Sequence, residues 1–216
     1  MREQIIKLIE EHKIIAIVRG VERENLIPLA KALYDAGIRF LELTYSADGK
    51  VSDEEMADRV KMLVDEFDGK MYFGSGTVLS EKQVELTKKA GGTFIISPDT
   101  YENVIRKTRE LEMVSIPGAF TPSEIQAAHR YGADFVKMFP MSNMGVSYLK
   151  AVKAPLSHIK LLVVGGVTLD NISEFLDGGA AGFGIGTNFV DKKLIAEGRF
   201  DKITENAVKY VEAVKR

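Results

Sequence analysis

Short apolar runs alternate along this chain with stretches in which apolar residues recur at helical spacing. The apolar runs fit buried strands at 14–18, 40–44, 71–74, 93–96, 113–116, 135–139, 161–164 and 182–185. The stretches between them fit amphipathic helices at 24–36, 54–67, 80–90, 101–111, 122–131, 147–154 and 169–176, with a last one at 199–215. Strands that alternate with helices in this way predict parallel βαβ units.

Eight parallel strands in 216 residues leave little room for a second sheet. The pattern therefore predicts one α/β domain over 1–216, a closed (β/α)₈ or TIM barrel near the small end of its size range. An extra helix at 2–11 would cap its closed end. An open doubly wound sheet is the main alternative. Neither a dinucleotide-binding Gly-x-Gly-x-x-Gly turn after the first strand nor a Walker loop occurs, which favours the barrel.

Composition narrows the possible partners. The hydrophobic content of 45% can fill a core, and a formal charge of −2 gives no general reason to bind nucleic acid or an anionic membrane. The absence of cysteine excludes disulfides, a thiolate nucleophile and cysteine-ligated metal. No run reaches the ~20 apolar residues of a membrane span. Residues 1–13 carry charges where a secretory signal would be apolar, so we expect a cytoplasmic protein.

Lys137 is the first candidate for chemistry, because it interrupts the apolar run 135–139. Alternate residues of a strand share a face, so its amine would lie between the rings of Phe135 and Phe139. Desolvation there lowers the pKa of an amine, as a lysine that forms a Schiff base with a carbonyl requires. The alternative is a lysine at a strand end that reaches past the apolar layer to water.

Other polar residues stand where strands end, and in such a barrel the chemistry lies at the carboxyl ends of the strands. Arg19 ends the first strand, Glu42 lies in the second, and Thr77 follows the third. An amine, a carboxylate that shuttles protons and an arginine that binds a carboxylate form a working set for covalent carbonyl chemistry. The alternative is that Glu42 and Lys137 form a structural ion pair.

Glycines mark the ends of the last two strands. Gly165 and Gly166 follow the seventh strand, and Gly186 and Thr187 follow the eighth. Glycine lets a backbone approach a ligand closely, and the loops after strands seven and eight are the usual phosphate site of this fold. We therefore expect a phosphate group there.

Taken together, these residues lie in motifs by which the chain resembles a known enzyme family over nearly its whole length. The motifs are Ile-Ala-Ile-Val-Arg-Gly ending at Gly20, Leu-Glu-Leu-Thr around Glu42, Gly-Ser-Gly-Thr-Val-Leu around Thr77, Ile-Ser-Pro at Pro98, Pro-Gly-Ala-Phe-Thr-Pro from Pro117, Val-Lys-Met-Phe-Pro around Lys137 and Val-Gly-Gly-Val-Thr from Val164. The chain resembles the class I aldolases that cleave 2-keto-3-deoxy-6-phosphogluconate (KDPG) or its galactonate epimer (KDPGal), and the 4-hydroxy-2-oxoglutarate (KHG) aldolases.

The resemblance implies a role for each candidate. Lys137 would form the Schiff base with the 2-keto carbon of the substrate, and Glu42 would be the general acid and base, acting through a water. Further residues would bind substrate, namely Arg19, Thr77, Pro98, Phe139 and Thr168, while Gly165, Gly166, Gly186 and Thr187 would hold its phosphate. The resemblance also implies no cofactor and no metal, a small-molecule substrate that yields pyruvate, and a homotrimer.

One departure concerns substrate choice. Gluconate-type enzymes carry an arginine four residues after the glutamate, where this chain has Ser46. Carboxylate binding would then fall to Arg19, as in galactonate-type enzymes, and the stretch 46–55 is longer than usual. Three alternatives to a KDPG or KDPGal aldolase follow: a KHG aldolase that gives glyoxylate, a sugar-phosphate-binding barrel without turnover, and a metal-dependent epimerase. The epimerase is disfavoured because no His and Asp ligands converge on the barrel mouth.

Overall fold

Parallel strands form the centre of the molecule. The computed structural model describes residues 1–46 and 48–215, and it contains nine strands in this part of the chain. They are β1 Ile14–Val18, β2 Phe40–Thr44, β3 Tyr72–Gly76, β4 Phe94–Ile96, β5 Val114–Ile116, β6 Gly118–Ala119, β7 Val136–Met138, β8 Leu161–Val164 and β9 Gly182–Ile185. Every strand pair is parallel, as predicted.

The sheet closes through the segment that holds β5 and β6. The strand order is β5-β4-β3-β2-β1-β9-β8-β7-β6, so its two outer members are consecutive in the chain. Pro117, which has no N–H to donate, separates them. Backbone hydrogen bonds join this segment to the residues at β7. The Phe135 N–H donates to Ser115 O at 3.3 Å and the Lys137 N–H to Pro117 O at 2.9 Å. The predicted barrel is therefore confirmed, with its fifth strand divided in two.

Helices surround the barrel. Their bounds are α1 Arg2–His12, α2 Arg23–Asp35, α3 Asp53–Phe67, α4 Glu81–Lys89, α5 Glu102–Glu110, α6 Pro122–Tyr131, α7 Gly145–Lys153, α8 Ile172–Asp177, α9 Lys192–Ala196 and α10 Phe200–Val214. The sequence pattern missed α9. Asp191 begins it, because its Oδ1 accepts the N–H groups of Lys193 at 2.9 Å and Leu194 at 3.1 Å. No helix in the described part of the chain is long and apolar enough to cross a membrane.

The amino-terminal helix α1 closes one end of the barrel. Ile5 and Ile9 on its buried face are each 1% exposed, and they pack with the side chains inside the barrel. Those interior side chains are Ile15, Phe40, Phe94, Ile96, Val114, Ile116, Phe135 and Leu162. A second, larger apolar layer lies between the strands and the outer helices. With one end filled by α1, the carboxyl ends of the strands remain to form a site.

Candidate active site

A cavity of about 470 Å³ lies at the carboxyl ends of the strands. It brings together all the predicted site residues except Thr168, namely Arg19, Glu42, Thr77, Pro98, Lys137, Phe139, Gly165, Gly166, Gly186 and Thr187. These residues lie far apart in sequence and belong to different βα units. The barrel therefore assembles in one place what the sequence distributes over the chain.

Lys137 lies in the middle of β7 with its side chain in this cavity. The residue is 7% exposed, and its Nζ lies 4.7 Å from the centre of the Phe139 ring. Burial lowers the pKa of Lys137, the Glu42 carboxylate opposes this effect, and the Arg19 charge lowers the pKa further. More of the amine is then neutral at a given pH than for an exposed lysine, and the neutral form is the nucleophile.

Glu42 lies in the middle of β2 and is 1% exposed. Its Oε2 is buried without a hydrogen-bond partner among the described residues. Burial raises the pKa of Glu42, and the charges of Lys137 and Arg19 partly offset this. The interaction recorded between Glu42 and Lys137 is Coulombic, without a hydrogen bond. This arrangement fits a proton-transfer group with an unfilled acceptor better than a closed structural ion pair.

Arg19 and Thr77 meet across the mouth of the cavity. The Arg19 Nη2 donates to the Thr77 Oγ1 at 2.9 Å. Thr77 has a φ of 54°, which is unusual for a β-branched residue and is maintained only where the surrounding structure enforces it. Arg19 and Lys137 are the positively charged residues that line the cavity. Arg19 therefore supplies a positive charge at the mouth that can bind an anionic group.

The loops after β8 and β9 line another part of the cavity. Gly165 has a φ of 92° and Gly166 a φ of 75°. A Cβ at Gly166 would lie 2.6 Å from the Ser142 Cα, so a side chain does not fit there. Thr168 is exposed and lies outside the lining, with its N–H donating to Asn171 Oδ1 at 2.8 Å. Its role in substrate binding remains a prediction.

The cavity also contains residues that the sequence pattern did not single out. These are Ile17, Val164, Val167, Gly184, Ile185 and Asn188. Ile17, Val164 and Ile185 are apolar residues of β1, β8 and β9, and Val167 follows β8. Asn188 is the polar member of this group, and its position directly after Thr187 was the signal that could have identified it.

Ser46 lines a different cavity, of about 540 Å³, which shares Arg19 with the first. The Ser46 Oγ donates to Asp48 Oδ1 at 2.5 Å. Lys50 and Ser46 hold the pKa of the Asp48 carboxyl far below its ordinary value. Of the long stretch 46–55, Ala47 lies outside the described residues. Ser46 thus provides no cation for the first cavity.

The described residues contain no group of three His, Cys, Asp or Glu side chains that could hold a metal ion.

Comparisons with known proteins identify the family of the chain. A family model described as KDPG and KHG aldolase matches residues 5–206. The chain is 34% identical over 176 residues to 2-dehydro-3-deoxy-6-phosphogalactonate aldolase of Escherichia coli K12, covering 81% of this chain and 83% of that protein. It is 30% identical over 203 residues to the KHG/KDPG aldolase of the same organism, covering 94% and 92%.

A solved structure extends the comparison to three dimensions. KDPG aldolase from Legionella pneumophila, with pyruvate captured at low pH as a covalent carbinolamine intermediate, matches with a TM-score of 0.83 and 26% identity, covering 94% of this chain and 96% of that one. Fold and sequence together define a barrel aldolase, a lyase that acts on carbon–carbon bonds. More narrowly, the chain belongs to the KDPG and KHG aldolase family.

Proposed function

We propose that this protein is a class I aldolase that reversibly cleaves a 2-keto-3-deoxy-6-phospho sugar acid, of gluconate or galactonate type, to pyruvate and glyceraldehyde 3-phosphate. The observation that carries the proposal is a pair of buried groups whose pKa values are shifted in opposite directions. Burial lowers the pKa of Lys137 and raises the pKa of Glu42, and both line one cavity. Titratable groups whose pKa values are shifted in this way are suited to nucleophilic and acid–base roles.

The reaction begins at the Lys137 amine. The neutral Nζ attacks the C2 carbonyl carbon to give a carbinolamine, which loses water to form a protonated imine. A base then removes the proton of the C4 hydroxyl, the C3–C4 bond breaks, and glyceraldehyde 3-phosphate leaves. The bonding electrons move to C3 and into the imine, which gives an enamine. Protonation at C3 and hydrolysis release pyruvate and restore the amine.

Glu42 is the proposed acid and base for these transfers, acting through a water. Its raised pKa brings the carboxyl closer to neutral pH, where a group can both accept and return a proton. The orphaned Oε2 provides an acceptor that a water can fill. Glu42 would therefore carry out the acid–base steps, because the Lys137 nitrogen cannot act as a base while it is part of the imine.

The remaining predicted residues would bind the substrate. Arg19, whose Nη2 donates to the Thr77 Oγ1 at 2.9 Å, would bind the carboxylate next to the reacting carbonyl. Phe139 and Pro98 would form the apolar walls around the pyruvate portion. The phosphate would lie against the backbone of the loops after β8 and β9, at Gly165, Gly166, Gly186 and Thr187, with Thr168 at the outer edge.

Two aldehyde products are compatible with the proposed reaction, glyceraldehyde 3-phosphate and glyoxylate. The galactonate relative supports a phosphorylated sugar acid, and the KHG/KDPG relative supports 4-hydroxy-2-oxoglutarate, which would give glyoxylate. We favour the phosphorylated acid because the cavity wall has two glycine loops suited to an anion. Comparing kcat/KM for both substrates decides between them.

Intact-mass spectrometry after incubation with pyruvate and borohydride tests the chemistry. We expect a reduced pyruvate adduct on the wild type and none on Lys137→Ala. Lys160→Ala is a matched control, because the Lys160 Nζ also lies over an aromatic ring, 5.5 Å from the Phe135 ring centre, but pairs with Glu10 outside the cavity. Folded wild type without an adduct would favour the sugar-phosphate-binding barrel without turnover.

We propose a homotrimer on the family resemblance, and from composition and the charged residues 1–13 we propose that it works in the cytoplasm on small molecules, without nucleic acid, membrane, metal or cofactor. Light scattering coupled to size exclusion should give three times the chain mass of 23.9 kDa. A mass equal to one chain would contradict the trimer.

A further inference from the structure

Asn188 connects the two loops that carry the proposed phosphate site. It follows Thr187 in the loop after β9, and it lines the cavity. Its side-chain Nδ2 donates to the Val167 carbonyl oxygen at 2.9 Å, in the loop after β8. The same nitrogen lies 2.5 Å from the Tyr210 hydroxyl. One amide group thus holds together two loops from separate βα units.

The carboxyl-terminal helix α10 supports Asn188 from outside the barrel. The Asn206 side chain donates to the Asn188 carbonyl oxygen at 2.6 Å. Tyr210 is 4% exposed, and its ring packs edge-on against Phe189, with the ring centres 5.3 Å apart. Burial raises the pKa of Tyr210, so its hydroxyl stays neutral. The position of Asn188 is therefore fixed by side chains that do not line the cavity.

A different residue fixes the internal shape of the loop after β8. The Asn171 side chain donates to Gly166 O at 2.8 Å and accepts the Thr168 N–H at 2.8 Å. Both of these bonds stay within one loop. The bond from Asn188 to Val167 instead crosses between loops, so it governs their separation and not the shape of either.

We infer that Asn188 is a positioning residue that sets the spacing of the two phosphate-binding loops, and so determines the preference of the enzyme for a phosphorylated substrate. The inference rests on the proposed function. A phosphate group bound by both loops needs the Gly166 and Gly186 backbones at the correct separation at the same time. Preorganised groups bind without the cost of ordering them, and that advantage is lost when the link between the loops is removed.

The test compares one keto-deoxy acid with and without its 6-phosphate. For Asn188→Ala we expect KM for the phosphorylated acid to rise roughly fivefold to tenfold, as for loss of one or two hydrogen bonds, with little change in kcat. The preference for the phosphorylated over the unphosphorylated acid should fall by the same factor. Asn103→Ala, a matched change on the exposed surface of α5, should leave KM and kcat for both acids unchanged.

Tyr210→Phe provides a second variant that keeps the ring and removes the hydroxyl. We expect a smaller loss of the same preference, and a combined effect with Asn188→Ala that is less than additive, because both changes break one network. An equal loss toward both acids in Asn188→Ala would overturn the inference, since general damage to the fold does not distinguish the phosphate. An unchanged preference would overturn it as well.

Binding measurements separate this inference from the proposed reaction. Calorimetry with glycerol 3-phosphate needs no turnover, and we expect weaker binding to Asn188→Ala than to the wild type. If the wild type forms no pyruvate adduct but this difference persists, the proposed reaction fails and the positioning role holds. If the wild type forms the adduct but the two proteins bind glycerol 3-phosphate equally, the positioning role fails and the reaction holds.

Discussion

The carboxylate of Glu42 occupies the space where a side chain of residue 76 would otherwise lie. A Cβ built on Gly76 would be 1.4 Å from the Glu42 Oε1 and 2.2 Å from its Cδ. Gly76 therefore belongs to the arrangement that lets a carboxylate lie buried over β3. Neither residue reveals this relationship in the sequence, because they lie in different strands.

We predict that Gly76→Ala displaces the Glu42 carboxylate and lowers kcat by about 100-fold, as expected for a displacement of roughly 1 Å in a reacting group. Borohydride trapping of pyruvate on Lys137 should persist. In a Glu42→Ala background the same change should cost little more, because the clashing atoms are gone. Additive losses in the double variant would show that Gly76 is needed for the backbone and not for Glu42.

Glu42→Gln should shift imine formation to lower pH. The negative charge of Glu42 raises the pKa of Lys137, so removing that charge lowers it further. Since the neutral amine attacks pyruvate, the rate of adduct formation rises with pH through the pKa of Lys137. The midpoint of that rise, measured by stopped borohydride trapping, should move to lower pH in the variant while aldol turnover falls. A midpoint shifted to higher pH would contradict the Coulombic link.

Glu42→Gln should also be more stable than the wild type at pH values above the pKa of Glu42 in the folded protein. Burial raises the pKa of Glu42 above its ordinary 4.5, so ionisation costs more in the folded than in the unfolded state. The free energy of unfolding of the wild type therefore decreases as pH rises from that ordinary value through the folded one. We expect Glu42→Gln to melt a few degrees higher above this window and no higher below it.

A matched control for that measurement is Glu66→Gln, a change at an exposed position of α3. It should show no comparable gain in melting temperature. A wild type that is as stable as Glu42→Gln at every pH would mean that the buried carboxylate is fully compensated in the fold.

Thr77→Val should weaken pyruvate binding by removing the hydroxyl that accepts from Arg19 at 2.9 Å. Arg19 is exposed, so without this bond its side chain gains freedom that binding must then remove. We expect KM to rise roughly threefold to tenfold, the effect of one hydrogen bond. Thr93→Val, which removes a hydroxyl bonded to Phe73 O at 3.2 Å outside the cavity, is the control. Equal KM values in the two variants would count against a role for Thr77.

Strand and helix positions could be predicted from the chain with few errors, because apolar periodicity is a local property. One error reflects pairing with a distant strand, and the other concerns a short helix. The strand at 113–116 continues beyond Pro117 as β6, because Gly118 pairs there with Lys137. Helix α9 was missed because it is short and its start depends on the Asp191 side chain.

The sequence by itself determined the order of parallel βα units, the placement of Lys137 and Glu42 in apolar strands, and the motifs of an aldolase family. These follow from residue type and spacing along one stretch of chain at a time. Only the tertiary structure decided that Arg19 bonds to Thr77, that the Glu42 carboxylate lies where a Cβ of residue 76 would be, and that Asn188 connects two loops. Such contacts depend on the register between strands, such as Glu42 opposite Gly74, and register is set by the packing of the whole barrel.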